Sequence, residues 1–340
     1  MNNGTKLSAR PDVRAFYDAG PFNLRDSPER HAASLRAGNS LVDYPPLVAA
    51  LASQPRILDV GCGTGWLVNG ASLHYGCPAH GIDVSTVAIA RARSVASLLG
   101  VASSFEVADL FAYRPQERFG LVTSMGVLHH TDDCQAALAY LGESFVADNG
   151  AMFIGLYHAW GRRPFLAHFE TLRRQRASEE AMFAAFRRLW RGAGRSDHDE
   201  ALLQSWFQDQ VLHPHETSHT LCEFLPLLDS LGFEVVSTSV NRFGPLPERE
   251  ALPAMEKQLG QASQRALAEG RYYPGFFAFK VLHRPPSAFD DISAGLGDLH
   301  QRYHPREAVI EFVVFLSVLL DELFSLVGAH DADEIFLSGT

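Results

Sequence analysis

The sequence lacks the marks of several protein classes. Its four cysteines, Cys62, Cys77, Cys134 and Cys222, form no CxxC pair and no dense framework, which excludes a disulfide-rich secreted scaffold. The first residues, MNNGTKLSARPDVR, contain no apolar leader core, so the expectation is a reduced, cytoplasmic protein. Excess positive charge is also missing. A net charge of -10 argues against a general binder of nucleic acid or anionic membrane, both of which demand a basic face. The one run of bilayer length, VIEFVVFLSVLLDELFSLVG at 309–328, is interrupted by Glu311, Asp321 and Glu322. A carboxylate at mid-bilayer costs about 2.5–3.5 kcal/mol, so this segment reads as a buried helix or a homodimer-forming one, with no membrane span. There is no internal repeat and no low-complexity tract. What is present is 46% hydrophobic residues in a chain of 340, enough to bury one large core or two smaller ones.

From about 56 to 155, short apolar runs alternate with helical patterns, the signature of stacked βαβ units. RILDV, AHGIDV (79–84), SFEVADL (104–110), FGLVTSMG (119–126) and GAMFIGLY (150–157) read as five strands. Helices are expected from about 64 to 75, from Ser85 to about Leu99, and through AALAYLGESF. A helical, arginine-rich insert follows to about residue 216. EFLPLLDSLGFEVVSTSV then reads as a helix stopped by Gly232 and a strand, and GFFAFKVLHR (275–284) as a last strand, plausibly antiparallel. The fold class expected is therefore α/β, a doubly wound, mostly parallel seven-stranded sheet with a helical insertion after strand five. In segments, 1–50 is a helical N-terminal cap, 51–157 and 217–284 the core, 158–216 the insert, and 285–340 an acidic helical C-terminal extension.

The first strand ends in Gly61-Cys62-Gly63-Thr64-Gly65 and opens a helix. Backbone without side chains at a helix N-terminus lets a nucleotide-type ligand approach closely. A dinucleotide fingerprint, G-x-G-x-x-G, would need its third glycine where this chain has Trp66. The stretch instead resembles the first motif of class I S-adenosylmethionine-dependent methyltransferases, [VIL]-L-D-[VIL]-G-x-G-x-G, matched at Leu58, Asp59, Gly61, Gly63 and Gly65. That resemblance implies S-adenosyl-L-methionine as cofactor, with the loop against its methionine part. It also implies that Asp83, about 20 residues on, accepts from the ribose diol, and that Asp109 and Leu110 meet the adenine. Capping of the following helices is the structural alternative for Asp83 and Asp109. The implied cofactor-binding set is Asp59, Gly61, Cys62, Gly63, Gly65, Asp83, Val84, Asp109, Leu110 and Met125.

After strand four, Met125-Gly126-Val127-Leu128-His129-His130 resembles the G-[VIL]-L-H-H stretch of small-molecule members of that family. A hydroxyl, thiol or protonated amine needs a base to accept a methyl, and histidine titrates in the useful range. His129, His130 and Tyr157 are the catalytic candidates; packing or capping is the alternative for the histidine pair. Tyr17, His158, His213 and His215 are candidates for substrate binding. The segment HPHETSH, with His213, His215, Glu216 and His219, reads as a polar loop, a histidine-lined lid or a divalent-metal site; no metal is assigned. Between Arg162 and Arg195 the insert carries a local charge of +6. That is a solvated face, a clamp for an acidic substrate, or an RNA-binding stripe with Phe183, Phe186 and Trp190 as its only aromatic platform. The function expected is methyl transfer to a small metabolite, an acidic one among the candidates, with a small molecule rather than nucleic acid as partner. The rivals are a methyltransferase acting on RNA or protein, although the [ND]-P-P-[FYW] tetrapeptide after strand four is absent, and a non-catalytic scaffold that keeps the cofactor site.

Overall fold

A computed structural model of the protein describes residues 8–195, 199–273, 277, 278 and 280–283. The expected C-terminal extension, 285–340, and with it the dimer-forming helix, lie outside the described residues. Three helices come first: α1 (Pro11–Ala19), α2 (Pro28–Ala37) and α3 (Pro45–Leu51). Each has proline in its first turn, where the missing N–H breaks no helical bond. The alternating region then gives β1 (Ile57–Val60), α4 (Trp66–Tyr75), β2 (Ala79–Asp83), α5 (Thr86–Leu99), β3 (Ser104–Val107), β4 (Phe119–Met125), α6 (Cys134–Phe145) and β5 (Val146–Tyr157). After it come α7 (Ala159–Arg174), α8 (Glu179–Gly192), α9 (Glu200–Phe207), α10 (Leu221–Ser230), β6 (Phe233–Ser237), α11 (Leu252–Ala268) and the short strands β7 (Phe277–Ala278) and β8 (Lys280–His283).

The fold is α/β and Rossmann-like. Five strands pair in parallel in the order β3-β2-β1-β4-β5, and β8 pairs antiparallel with both β5 and β6. Among the described residues the sheet counts eight strands, with β7 and β8 each pairing with β5. Side chains alternate across a strand, and β1 divides accordingly. Leu58 and Val60 join a core with α6 and α10 residues such as Leu141 and Phe224. Ile57 joins the opposite core with Leu47, Val68 and Ile89 of α3, α4 and α5. Helices thus cover both faces, and the carboxyl ends of β1, β2 and β4 open together at one edge, where such sheets bind ligands.

Element ends depart from the expectation for local reasons. Strand β3 stops at Val107 rather than 110, because the Asp109 carboxylate accepts the Phe111 N–H at 2.9 Å and turns the chain. The insert is more than a charged face: Phe165, Phe169, Phe186, Trp190 and Phe207 form its own apolar core around Tyr157 and Tyr272. Phe186 and Trp190 are buried there, and Phe183 packs on Phe207, so the three do not form an open platform for bases. Among the described residues no helix is long and apolar enough to cross a membrane.

Candidate functional site

The turn from β1 to α4 is built from three left-handed residues, Gly61, Gly63 and Gly65, with φ of +72°, +52° and +82°. That conformation is costly for any side chain but glycine's. The three glycines meet different neighbours. A Cβ on Gly61 would lie 2.3 Å from a methyl of Val127, and one on Gly65 would lie 2.8 Å from Ala92 Cβ and 3.0 Å from the Phe105 ring. Only at Gly63 would a Cβ meet nothing within 4 Å. So Gly61 makes room for the loop after β4 and Gly65 for α5 and β3, while Gly63 alone faces open space. The turn hangs from β2: the N–H groups of Gly61 and Cys62 both donate to the Ile82 carbonyl, at 2.8 and 3.0 Å.

A cavity opens in front of this turn. Its floor is Gly61, Cys62, Gly63 and Thr64; Asp83, Val84, Asp109 and Leu110 form one side, and Met125, Val127 and His130 another. Helix α1 and the residues flanking it close the cavity with Arg10, Val13, Tyr17 and Phe22, and Trp66 and Asp209 complete it. Asp83 is held by the N–H groups of Gly63 (2.9 Å) and Ser85 (2.8 Å). Burial raises its pKa, against the lowering effect of those two bonds. Asp109 accepts from Phe111 N–H with one oxygen and from Ala9 N–H, at 2.8 Å, with the other. The lead into α1 is thereby tied to the end of β3. Tyr17 donates its hydroxyl to Asp209 at 2.7 Å.

His130 alone of the three catalytic candidates reaches the cavity. Its Nδ1 lies 2.8 Å from the His215 carbonyl, which only accepts, so Nδ1 carries the proton. Its buried Nε2 has no partner among the described residues. Burial, the largest cause, lowers its pKa to about 3, so the ring is a neutral imidazole with a bare Nε2.

Several expected site residues stand outside the cavity wall. Asp59 is 3% exposed on the α3–α5 side of β1 and accepts the Thr123 hydroxyl at 2.6 Å; it braces β1 to β4. Gly65 lies behind the turn. His129 is fully buried, stacked on Tyr157 with centroids 4.0 Å apart, and its Nδ1 accepts the Tyr157 N–H at 3.3 Å. Tyr157 points into the insert, where it donates to Asp209 at 2.9 Å and accepts from Gln210 at 2.7 Å. His158 pairs with Glu256 at 2.8 Å, both buried, so it joins the core to α11 rather than meeting substrate. His213 and His215 lie one layer back, against His130 and Thr131. In HPHETSH, Glu216 is taken up by Arg162 and His219 by Thr217 and Glu223. No group of three or more metal-ligating side chains gathers among the described residues.

Of the three readings of the arginine-rich insert, the clamp finds no support: among the described residues none of its arginines lines the cavity. Arg162 is fully buried, bound to Glu216 and Gln210 and stacked on the Tyr157 ring at 4.2 Å. Arg187 pairs with Glu200, and Arg195 lies over Trp190 at 4.7 Å. The arginine that does line the cavity, Arg10, already pairs with Asp12 at 2.9 Å and Asp132 at 2.6 Å. Sequence reasoning missed Asp209. It sits in a single π-helical turn, Gln208–Leu212, a distortion common at functional sites that leaves no pattern in WFQDQVL. Contacts with Tyr17 and Tyr157, 192 and 52 residues earlier in the chain, disclose it.

A family model described as a methyltransferase domain matches residues 57–144. The chain is 33% identical over 174 residues to an uncharacterized protein of Synechococcus sp., covering 46% of this chain and 40% of that one. It is 35% identical over 83 residues to the ubiquinone biosynthesis O-methyltransferase of Rhodopseudomonas palustris, covering 24% and 32%. These matches span well under two thirds of the length of either relative. Among solved structures, PKMT2 from Rickettsia typhi in complex with AdoHcy is similar over 71% of this chain and 53% of that one, at 16% identity and a TM-score of 0.49.

Proposed function

From the premise that residues 57–144 are a methyltransferase domain of the class I kind, with S-adenosylmethionine as methyl donor, we propose that the protein methylates a small, uncharged or cationic acceptor. The acceptor carries an O–H, N–H or S–H group and lies between the glycine turn and α1. The observation that carries this reading is His130: it lines the cavity, its Nδ1 is committed to a carbonyl, and its Nε2 has no partner among the described residues. In the same reading, β7 and β8 stand for one seventh strand, α7 to α9 are the insert that walls in the acceptor, and the four free cysteines accord with a cytoplasmic setting.

The residues present fit the donor. Asp83 keeps acceptor capacity beyond its two N–H bonds, as a ribose diol needs. Gly63 offers a backbone surface with open space in front of it, and Leu110 and Val84 offer apolar walls. Bound S-adenosylmethionine supplies an electrophilic methyl on a positively charged sulfur. Asp83 and Gly63 orient the donor, while Tyr17 and Phe22 exclude water from it. Such positioning of two reactants is a large part of catalysis by displacement. With the donor bound, His130 would take through Nε2 the proton that the acceptor atom gives up on being methylated.

The test uses methyl-labelled S-adenosylmethionine with fractionated cell extract. Label should appear in small molecules, and His130→Ala should cut its rate by about 10²–10⁴-fold, the usual contribution of a general base, with donor affinity in calorimetry kept. Label in RNA or protein alone would replace the acceptor class, and no donor binding by the parent chain would overturn the function.

A further inference from the structure

We propose that the main chain of His215 sets the tautomers of two stacked imidazoles, His130 and His213, so that His130 meets the acceptor with a bare Nε2. This rests on His130 as the proton acceptor of the methyl transfer, and it gives the HPHETSH segment a role other than metal binding.

The argument is one of donors and acceptors. The His215 carbonyl accepts from His130 Nδ1 at 2.8 Å, which puts the proton of that ring on Nδ1. The His215 N–H donates to His213 Nδ1 at 3.1 Å, which leaves that nitrogen unprotonated and puts the proton of the second ring on Nε2. One peptide residue, through its own donor and its own acceptor, thus imposes opposite tautomers on two neighbours. The two rings lie face to face, with centroids 3.7 Å apart and planes 24° from parallel. The Nε2 atoms of both are buried without a partner among the described residues. A second link holds the segment in register: His215 Nε2 lies 3.1 Å from the Thr131 carbonyl, in the same turn as His130.

The consequence is chemical. An imidazole protonated at Nε2 would offer the acceptor a donor and could take no proton from it. With Nδ1 committed, His130 has only the productive face left. His213 is then a positioning residue: it flanks His130 with a neutral ring and contacts Phe16 and Tyr17 of α1, at 4.9 and 5.4 Å between centroids. The titratable or charged groups around the pair are Tyr17 from α1, His129 beside His130, Tyr157 at the end of β5, Arg162 from α7, Asp209 from the π-helical turn, and His215 itself. Burial, the largest cause for both rings, keeps each neutral to about pH 3.

The experiment is nitrogen–proton correlation spectroscopy of the full chain labelled with ¹⁵N-histidine, the two signals assigned by His130→Gln and His213→Gln. At neutral pH, His130 should carry its proton on Nδ1 and His213 on Nε2, and both patterns should persist to about pH 4. Pro214→Gly, at an exposed position between the two linked residues, should admit the other tautomer of His130 and lower kcat about three- to tenfold, the worth of one hydrogen bond, with donor affinity unchanged. Both rings in one tautomer, or His130 protonated on Nε2 in the parent chain, overturns the proposal. If the tautomers are as stated but His130→Ala methylates at the parent rate, the base assignment fails and the tautomer assignment stands.

Discussion

Alanine at Gly61 and alanine at Gly63 should fail in different ways, although the two glycines share a motif and a left-handed φ. Each substitution pays the backbone cost of that region, about 1–2 kcal/mol. At Gly61 a second cost is added, because the new Cβ would lie 2.3 and 2.7 Å from the two methyls of Val127. Overpacking of that kind costs about 1–3 kcal/mol, so Gly61→Ala should destabilise by about 2–5 kcal/mol. Gly63→Ala meets nothing within 4 Å and should cost only the backbone term, but its methyl enters the cavity. It should weaken S-adenosylhomocysteine binding by about tenfold, equivalent to about 1.4 kcal/mol. Urea denaturation gives the first quantity and calorimetry the second. A double-mutant cycle isolates the overlap: Val127→Ala removes both offending methyls, so Gly61→Ala/Val127→Ala should recover the overpacking part and show a coupling of about 1–3 kcal/mol. Equal destabilisation by the two alanines, or a coupling near zero, would refute the account of why Gly61 is glycine.

Three further outcomes follow from buried groups. Burial raises the Asp59 carboxyl to about 7, above its ordinary value of about 3.9 in the unfolded chain, so the folded state holds the proton that the unfolded state releases. Stability falls as pH rises from about 4 and levels off above about 7; Asp59→Asn, which keeps an acceptor for Thr123, should melt higher than the parent at pH 8 and close to it at pH 4. Arg162→Met strands Glu216, 15% exposed at its side chain, and removing one partner of a buried pair costs about 3–5 kcal/mol; urea unfolding should show that loss, and Arg162→Met/Glu216→Leu should restore part of it. Tyr17→Phe deletes the hydroxyl that Asp209 accepts, a bond to a charged group worth about 1.5–3 kcal/mol; amide exchange should quicken across α1 and stay unchanged in β1 and β4.

How far the sequence discloses the molecule depends on the range of the signal. The strands β1 to β5 are legible because apolar runs and helical periods are local patterns, and Gly232 follows its helix where it is read as the stop. Asp83, Asp109 and the glycines are legible as a group through their spacing along that pattern. The division of labour among the glycines is not, because it depends on Val127, Ala92 and Phe105 approaching from other elements. His130 could be named but not separated from His129. Consecutive residues in the short turn after β4 face opposite ways, and only the packing of Tyr157 and His215 shows which ring meets the cavity.

The matched segment, 57–144, contains the glycine turn, Asp83, Asp109 and His130. The groups that close and tune the other side come from elsewhere: Tyr17 from α1, Asp209 from the π-helical turn, and His215 from HPHETSH. On the proposed function, acceptor choice rests with these segments, which lie outside the matched one. Charge narrows it. Among the described residues, the cavity wall holds Asp83, Asp109 and Asp209 against a single arginine, which pairs with Asp12 and Asp132. In a partly enclosed, low-dielectric space, carboxylates without a cation beside them favour a positively charged ligand and oppose an anionic one. A cationic donor suits that field; an acidic acceptor would enter it with no arginine free to receive it.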